Sequence, residues 1–186
     1  MPPDATDTKR RLLNAARREF AEFGLAGARI DRIAEKAGAN KRSIYMHFGP
    51  KEQLFDLVIS STLAAMAEAV PFIAGDLAAY ATELFDYLLT EGETLRLIAW
   101  ANLERPTATT EEQQTYGAKV AALSTRYGNS GADVLALTLG LVTAWANASP
   151  ALIPPSSHNN TTSNAHRRRM LADAVRSVES TFVRLH

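Results

Sequence analysis

The chain has 186 residues, room for one sizeable core or for a small domain joined to a larger one. It is 46% hydrophobic and 22% charged, the composition of an ordinary globular protein, and it has no cysteine, which excludes disulfides, thiol nucleophiles and cysteine metal sites. The formal net charge is zero, but residues 1–51 hold eleven Lys/Arg against six Asp/Glu, so a surplus of +5 there faces −5 in the remainder and only the first quarter suits a polyanion.

The amino terminus, MPPDATDTKR, has no apolar stretch behind its charges and does not read as a secretory signal, so a cytoplasmic protein is expected. A first helix is predicted from about Thr8 to Phe23, where Leu12, Ala16 and Phe20 recur at four-residue spacing with Leu13 and Phe23 beside them. Gly24 is its stop signal. A short second helix, Ile30–Ala37, carries Ile30, Ile33, Ala34 and Ala37 on its inner side and closes at Gly38. Asn40 offers a side-chain oxygen to cap a third helix over Lys41–His47, whose Ile44, with Phe48 just beyond, points to the core. Gly49-Pro50 opens a fourth helix that runs towards about Val70, with Gly49 as its expected cap.

Beyond Pro71 five further helices are predicted, over about 76–90, 93–104, 109–127, 131–149 and 164–184, punctuated by Gly92, Pro106, Gly128 and Pro150. From Val134 to Ile153 there are 20 residues without a charge, about the length that spans a bilayer. Asn147, Ser149 and Pro150 interrupt that run and no Lys or Arg flanks it closely, so a buried helix is the expectation and no membrane contact is predicted. Residues 149–163 read as a loop, and no period-2 strand pattern stands out. The fold class is therefore all-α, about nine helices. Residues 1–50 form a small N-terminal three-helix domain and 51–186 a larger helical one.

Two short helices joined by Ala37-Gly38-Ala39-Asn40 have the layout of a helix-turn-helix. The chain reverses at once after a helix, which calls for glycine, and the small Ala34 and Ala37 let the helices approach. The second of them projects Lys41, Arg42, Ser43, Tyr45 and His47 outward, where a major groove would admit them. No motif of an enzyme competes with this. There is no G-x-S-x-G elbow, G-x-G-x-x-G, P-loop or H-E-x-x-H. His47, His158, His166 and His186 lack ligand spacing on a shared helix. Neither a cofactor, a metal nor catalysis is expected.

From Phe20 to Phe55 the stretch FAEFGLAGARIDRIAEKAGANKRSIYMHFGPKEQLF resembles the signature of TetR-family transcriptional regulators. The matching positions are Gly24, Ile33-Ala34, Ala37-Gly38, Tyr45-Met46-His47-Phe48 and Lys51-Glu52, in fixed register over about a quarter of the chain. Two positions depart from the pattern. The Thr-Thr or Thr-Ser pair that commonly opens the second helix is Ala28-Arg29 here, which suggests Arg29 as a cationic phosphate contact. The Ser or Asn before Lys51 is Pro50. The resemblance implies phosphate contacts from Tyr45, His47 and Lys51, and base reading by Lys41, Arg42 and Ser43. Each also has a plain alternative: packing for Tyr45, a helix-end hydrogen bond for His47, solvated surface for Lys41 and Arg42.

One recognition helix covers a short half-site, so a homodimer on double-stranded operator DNA is expected. Helices 8 and 9 are the expected interface. The ninth carries Leu171, Ala174, Val175, Val178, Phe182 and Leu185 on one face, and the eighth has a small-residue row at Ala132, Ala136 and Gly140. Arg167-Arg168-Arg169 near the start of helix 9 reads as a solvated face or as inter-subunit ion pairs. The family places a ligand pocket among helices 4 to 8. Candidate lining residues are Phe85, Leu88, Leu89, Trp100, Tyr116, Leu141 and Trp145, with Asn102 or Asn147 as polar anchors, though each also reads as plain core. That set favours a hydrophobic or aromatic effector over an anionic one. The implied function is a ligand-responsive repressor. The alternative is a relative controlled by a protein partner, or one that acts without a ligand.

Overall fold

The computed structural model describes residues 5–153 and 161–183. Among the described residues there are nine α-helices and no strand, so the all-α expectation holds. The helices are α1 (Ala5–Gly27), α2 (Ile30–Ala37), α3 (Lys41–Phe48), α4 (Lys51–Ala69), α5 (Leu77–Thr90), α6 (Gly92–Glu104), α7 (Thr110–Tyr127), α8 (Gly131–Thr143) and α9 (Thr161–Val183), with a 3₁₀ turn at Gly128–Ser130. The chain divides into two compact units. One comprises the chain up to Ala65 with Glu91–Glu112, the other Met66–Thr90 with the chain from Gln113 onward. Both α4 and α7 contribute residues to each.

In the first unit α1 packs on α6 and α2, and α2 packs on α3. The four-residue stripe of α1 is buried as its spacing requires, with Leu12, Ala16 and Phe20 at 0% exposure. Ile33, Ile44, Leu54, Phe55 and Leu97 complete the core from the other helices. Phe20 meets Phe55 edge-on at 5.0 Å, an arrangement worth about 0.5–1.5 kcal/mol beyond the area it buries.

The boundaries follow local chemistry. Gly24, at φ 68°, breaks α1 after Phe23. Gly38, at φ 58°, lets the chain turn while its N–H bonds the Glu35 carbonyl and the Ala39 N–H bonds that of Ala34. The Asn40 side chain accepts the Arg42 N–H at 2.8 Å, worth about 1 kcal/mol, as a cap should. Gly49 closes α3, and the Pro50 carbonyl accepts the first bond of α4 from Leu54, so Pro50 takes the capping place expected of Gly49. Thr109 and Glu112 form a reciprocal capping box at the start of α7.

In the second unit α5, α8 and α9 pack against one another. Leu77, Tyr80, Ala81, Leu84, Val134, Leu135, Thr138, Leu171 and Val175 are buried there. The Tyr127 hydroxyl donates to Glu179 at 2.8 Å, and Arg168 pairs with Asp86 at 2.9 Å, so one member of the arginine triplet has its partner within the protomer. Helix α8 stops at Thr143, six residues before the expected end. The Ala144 N–H takes an i−3 acceptor, and Pro150 disfavours helix in the residue before it. Nor is α8 buried all round: Leu137 is 48% exposed, and Ala132, Ala136 and Gly140 are exposed as well. Among the described residues no helix is long and apolar enough to cross a membrane.

Candidate nucleic-acid interface

The helix-turn-helix is held by a carboxylate that the composition does not advertise. Glu19 occupies the apolar side of α1 and is 0% exposed. It accepts the Arg29 N–H at 3.0 Å, Arg32 Nε at 2.6 Å and Lys36 Nζ at 3.2 Å. One side chain thus supplies a cap for the start of α2, whose Arg29 has no side-chain cap of its own, and two ion pairs along it. Burial pushes the Glu19 carboxyl up, but the Arg29 amide and the Arg32 and Lys36 bonds outweigh that and hold it below its ordinary value. At the far end of α1 the Glu104 carboxylate accepts the N–H groups of Leu25 and Ala26, which the break at Gly24 leaves without helical acceptors.

With α2 and α3 so fixed, Lys41, Arg42, Tyr45, Met46 and His47 all stand exposed on α3, while Ser43 is half-buried. Arg29 is exposed at the head of α2. A concavity of about 480 Å³ is lined by Ala28, Arg29, Asp31, Lys41, Tyr45 and Lys51 among others, and so gathers four of the expected contacts. A neighbouring one of about 540 Å³ joins Asn40, Lys41, Arg42, Tyr45 and Met46. Ser43 and His47 line neither.

Two of the cations are already engaged. Lys41 Nζ pairs with Asp31 at 2.9 Å, and that hydrogen bond and charge hold the ammonium above its ordinary value. Lys51 Nζ donates to the carbonyls of Ala28 at 3.2 Å and Ala26 at 3.5 Å, pinning the α1–α2 connection. Met46, a position of the family resemblance to which no contact role is assigned there, is 71% exposed beside Tyr45. A large apolar side chain left in water on a short helix is the signal that would have found it.

The residues expected around an effector are divided. Phe85 and Leu88 are buried in the second unit, and Phe85 meets Trp145 edge-on at 5.6 Å. Tyr116 and Leu141 are half-buried, and Leu89 is 39% exposed. Trp100 lies in the first unit, against Gly24, where an added Cβ would come within 2.8 Å of its ring. Asn102 and Asn147 are exposed. Leu171 and Val175, which the sequence groups in the partner-facing stripe, are buried within the protomer itself, and Leu185 lies outside the described residues.

Comparison with known proteins places this arrangement. Residues 12–58 match the family described as bacterial regulatory proteins, tetR family, and residues 76–177 match the tetracyclin repressor-like C-terminal domain. The chain belongs to the TetR family. It is 42% identical over 124 residues to the HTH-type transcriptional repressor SCO4008 of Streptomyces coelicolor, a stretch covering 64% of this chain and 65% of that one. It is 42% identical over 65 residues to the repressor AcnR of Corynebacterium glutamicum, covering 35% of each. The crystal structure of SCO4942 from Streptomyces coelicolor superposes with a TM-score of 0.75 at 33% identity, covering 90% of this chain and 96% of that one. The aligned stretches thus span just under two thirds of SCO4008 and about a third of AcnR. The family is one of DNA-binding transcriptional regulators, not enzymes, and the tetR-family match contains the whole exposed face of α3.

Proposed function

We propose that this protein is a cytoplasmic repressor that binds a palindromic operator as a homodimer and releases it when a small hydrophobic or aromatic effector binds. Residues 1–50 are the reader and 51–186 the sensing and dimerising part. The observation that carries the reading is the concavity uniting Arg29, Lys41, Tyr45 and Lys51 beside exposed Arg42. In this assignment Arg42 reads a guanine edge, Lys41 and Ser43 contact neighbouring bases, and the Met46 tip meets a thymine methyl. Tyr45, His47, Lys51 and Arg29 hold phosphates, which sets register and salt dependence.

Dimerisation through α8 and α9 is supported by the exposed row Ala132, Ala136 and Gly140, and by Leu137 and Met170 at 48% and 50% exposure. A two-fold dimer suits half-sites about 34–36 Å apart or at a related spacing. Phe85, Leu88, Leu89, Tyr116, Leu141 and Trp145, all of the second unit, are the effector's neighbours in this reading. Because α4 continues directly from Lys51, an effector that favours one setting of α4 alters the spacing of the recognition helices.

The test is a fluorescence-anisotropy titration with the DNA flanking the protein's own gene. Arg42→Ala and Tyr45→Ala are each expected to weaken specific binding by about tenfold or more. Wild-type affinity no better than for random DNA, or unchanged affinity in both variants, overturns the reading. Asp31→Ala should act in the opposite direction. It frees Lys41 and removes a negative charge beside the phosphate path, so affinity should rise by roughly two- to tenfold at low salt, with a steeper salt slope. Equal affinity and slope in the same titration would mean that the Lys41–Asp31 pair lies away from the DNA.

A further inference from the structure

The second unit contains a buried ammonium without a counter-charge. Lys119, on α7, is 9% exposed, and its Nζ donates to the Tyr80 hydroxyl of α5 at 2.9 Å. The ammonium lies 5.1 Å from the centroid of the Tyr80 ring and 5.5 Å from that of Phe72, and the two rings meet edge-on at 5.0 Å. Among the described residues no Asp or Glu forms an ion pair with Lys119. Burial alone pushes the amine below its ordinary value and the Tyr80 hydroxyl up to about 12, as expected where no carboxylate is at hand.

Such a group is costly to keep. An ammonium has three N–H donors, and Tyr80 accepts one. The aromatic faces return part of what desolvation removes, but they do not fill the remaining donors. A Met or Leu at this position would occupy similar space at no electrostatic cost. The surroundings are also apolar in an ordered way. Tyr80, Leu84 and Leu88 follow one another at four-residue steps on α5, and Tyr116 lies one turn from Lys119 on α7. Two of the residues assigned to the effector site therefore share its helices: Tyr116 is one turn from Lys119 on α7, and Leu88 is two turns beyond Tyr80 on α5.

We propose that Lys119 and Tyr80 form the acid-binding end of an effector site, and that the effector is an aromatic carboxylic acid whose carboxylate takes the open Lys119 donors while its ring packs near Phe72. The proposal rests on the ligand-responsive reading above and narrows it, since the apolar residues alone favour a neutral hydrophobic molecule. A carboxylate supplies the missing counter-charge, so it gains most in whichever conformation leaves Lys119 least solvated. That difference in affinity is what a switch requires.

The test uses the full chain and two probes, 1-naphthoate and phenylacetate, each beside its neutral amide, with binding measured by calorimetry. The wild type should bind at least one acid about tenfold or more tightly than its amide, because the bond to a charged amine is lost in the amide. Lys119→Met should erase the preference while leaving helix content and Tm at or above wild type, and Lys119→Arg should retain a preference. Equal binding of acid and amide, no binding of either acid, or a preference that survives in Lys119→Met overturns the proposal. The operator titration separates it from the broader reading. A protein that binds operator but neither acid loses only this inference. One that binds an acid through Lys119 and keeps its grip on DNA retains the site but is not induced through it.

Discussion

Replacing Glu19 with Ala is expected to cost about 2–4 kcal/mol of stability, enough to endanger a reader whose whole stability is of the order of 5–15 kcal/mol. The figure lies towards the low side of the range for breaking a buried ion pair, because Arg32 and Lys36 keep 32% and 45% side-chain exposure and can turn partly to water. The Arg29 N–H also loses the acceptor that Glu19 gives it at the head of α2. Loss of the anchor should also loosen α2 against α1, so operator affinity should fall even though Glu19 itself is buried away from any ligand. Glu19→Gln keeps the shape and one acceptor, and should recover part of the stability but not the charge.

The pH dependence gives an independent check. Since the Glu19 carboxyl is held below its ordinary 4.5 in the folded protein, its contribution is fully present above that value and is lost as pH falls through the folded value. The stability gap between wild type and Glu19→Ala should therefore be widest at neutral pH and narrow on acidification. Urea titrations at about pH 7 and about pH 4 measure both gaps. A gap that is the same at both, or absent at neutral pH, would mean that the carboxylate contributes no charge-dependent stability.

The features legible in the sequence were those written in local chemistry. Gly24, Gly38 and Asn40 each act within one turn of their own position, and the Leu12–Ala16–Phe20 spacing is a property of a single helix. The family resemblance then rested on residues that this local geometry requires. Glu19 reads in the sequence only as a charge, because its three partners lie 10 to 17 residues away and nothing local marks a carboxylate as buried. The sole hint is that it falls seven residues after Leu12, on the apolar side. Lys119 was hidden for the same reason within a polar-looking α7. The stripe of α9 shows the converse difficulty: periodicity says that Leu171 and Val175 face something apolar, but not whether it is the same protomer or another. Trp100 reads as a pocket aromatic by type, and its contact with Gly24, 76 residues away, is not written in local sequence.

Arg105 offers the second large effect, and it bears on how α4 is held. Its guanidinium is 10% exposed and reaches both Asp56 of α4 at 3.2 Å and Glu112 of α7 at 2.7 Å, while lying 5.9 Å from the Phe55 ring centroid. Glu112 is equally buried, and its other oxygen accepts the Thr109 N–H of the capping box at 2.8 Å. Arg105→Ala should cost about 2–4 kcal/mol, because it strands a buried carboxylate that the box alone satisfies only in part. Burial pushes the Glu112 carboxyl up, and the Arg105 bond and charge, with the Thr109 amide, bring it below its ordinary value. Without Arg105 the upward push has less to oppose it. Protonation on acidification then relieves the stranded charge, and the deficit of Arg105→Ala should shrink below about pH 5. Arg105→Lys keeps the charge but cannot fork between two carboxylates, so it should fall between wild type and Ala. Thermal unfolding of the three proteins across that pH range decides the matter. A deficit that does not change with pH would assign Arg105 to packing against Phe55, and α4 would then be held by its apolar face alone.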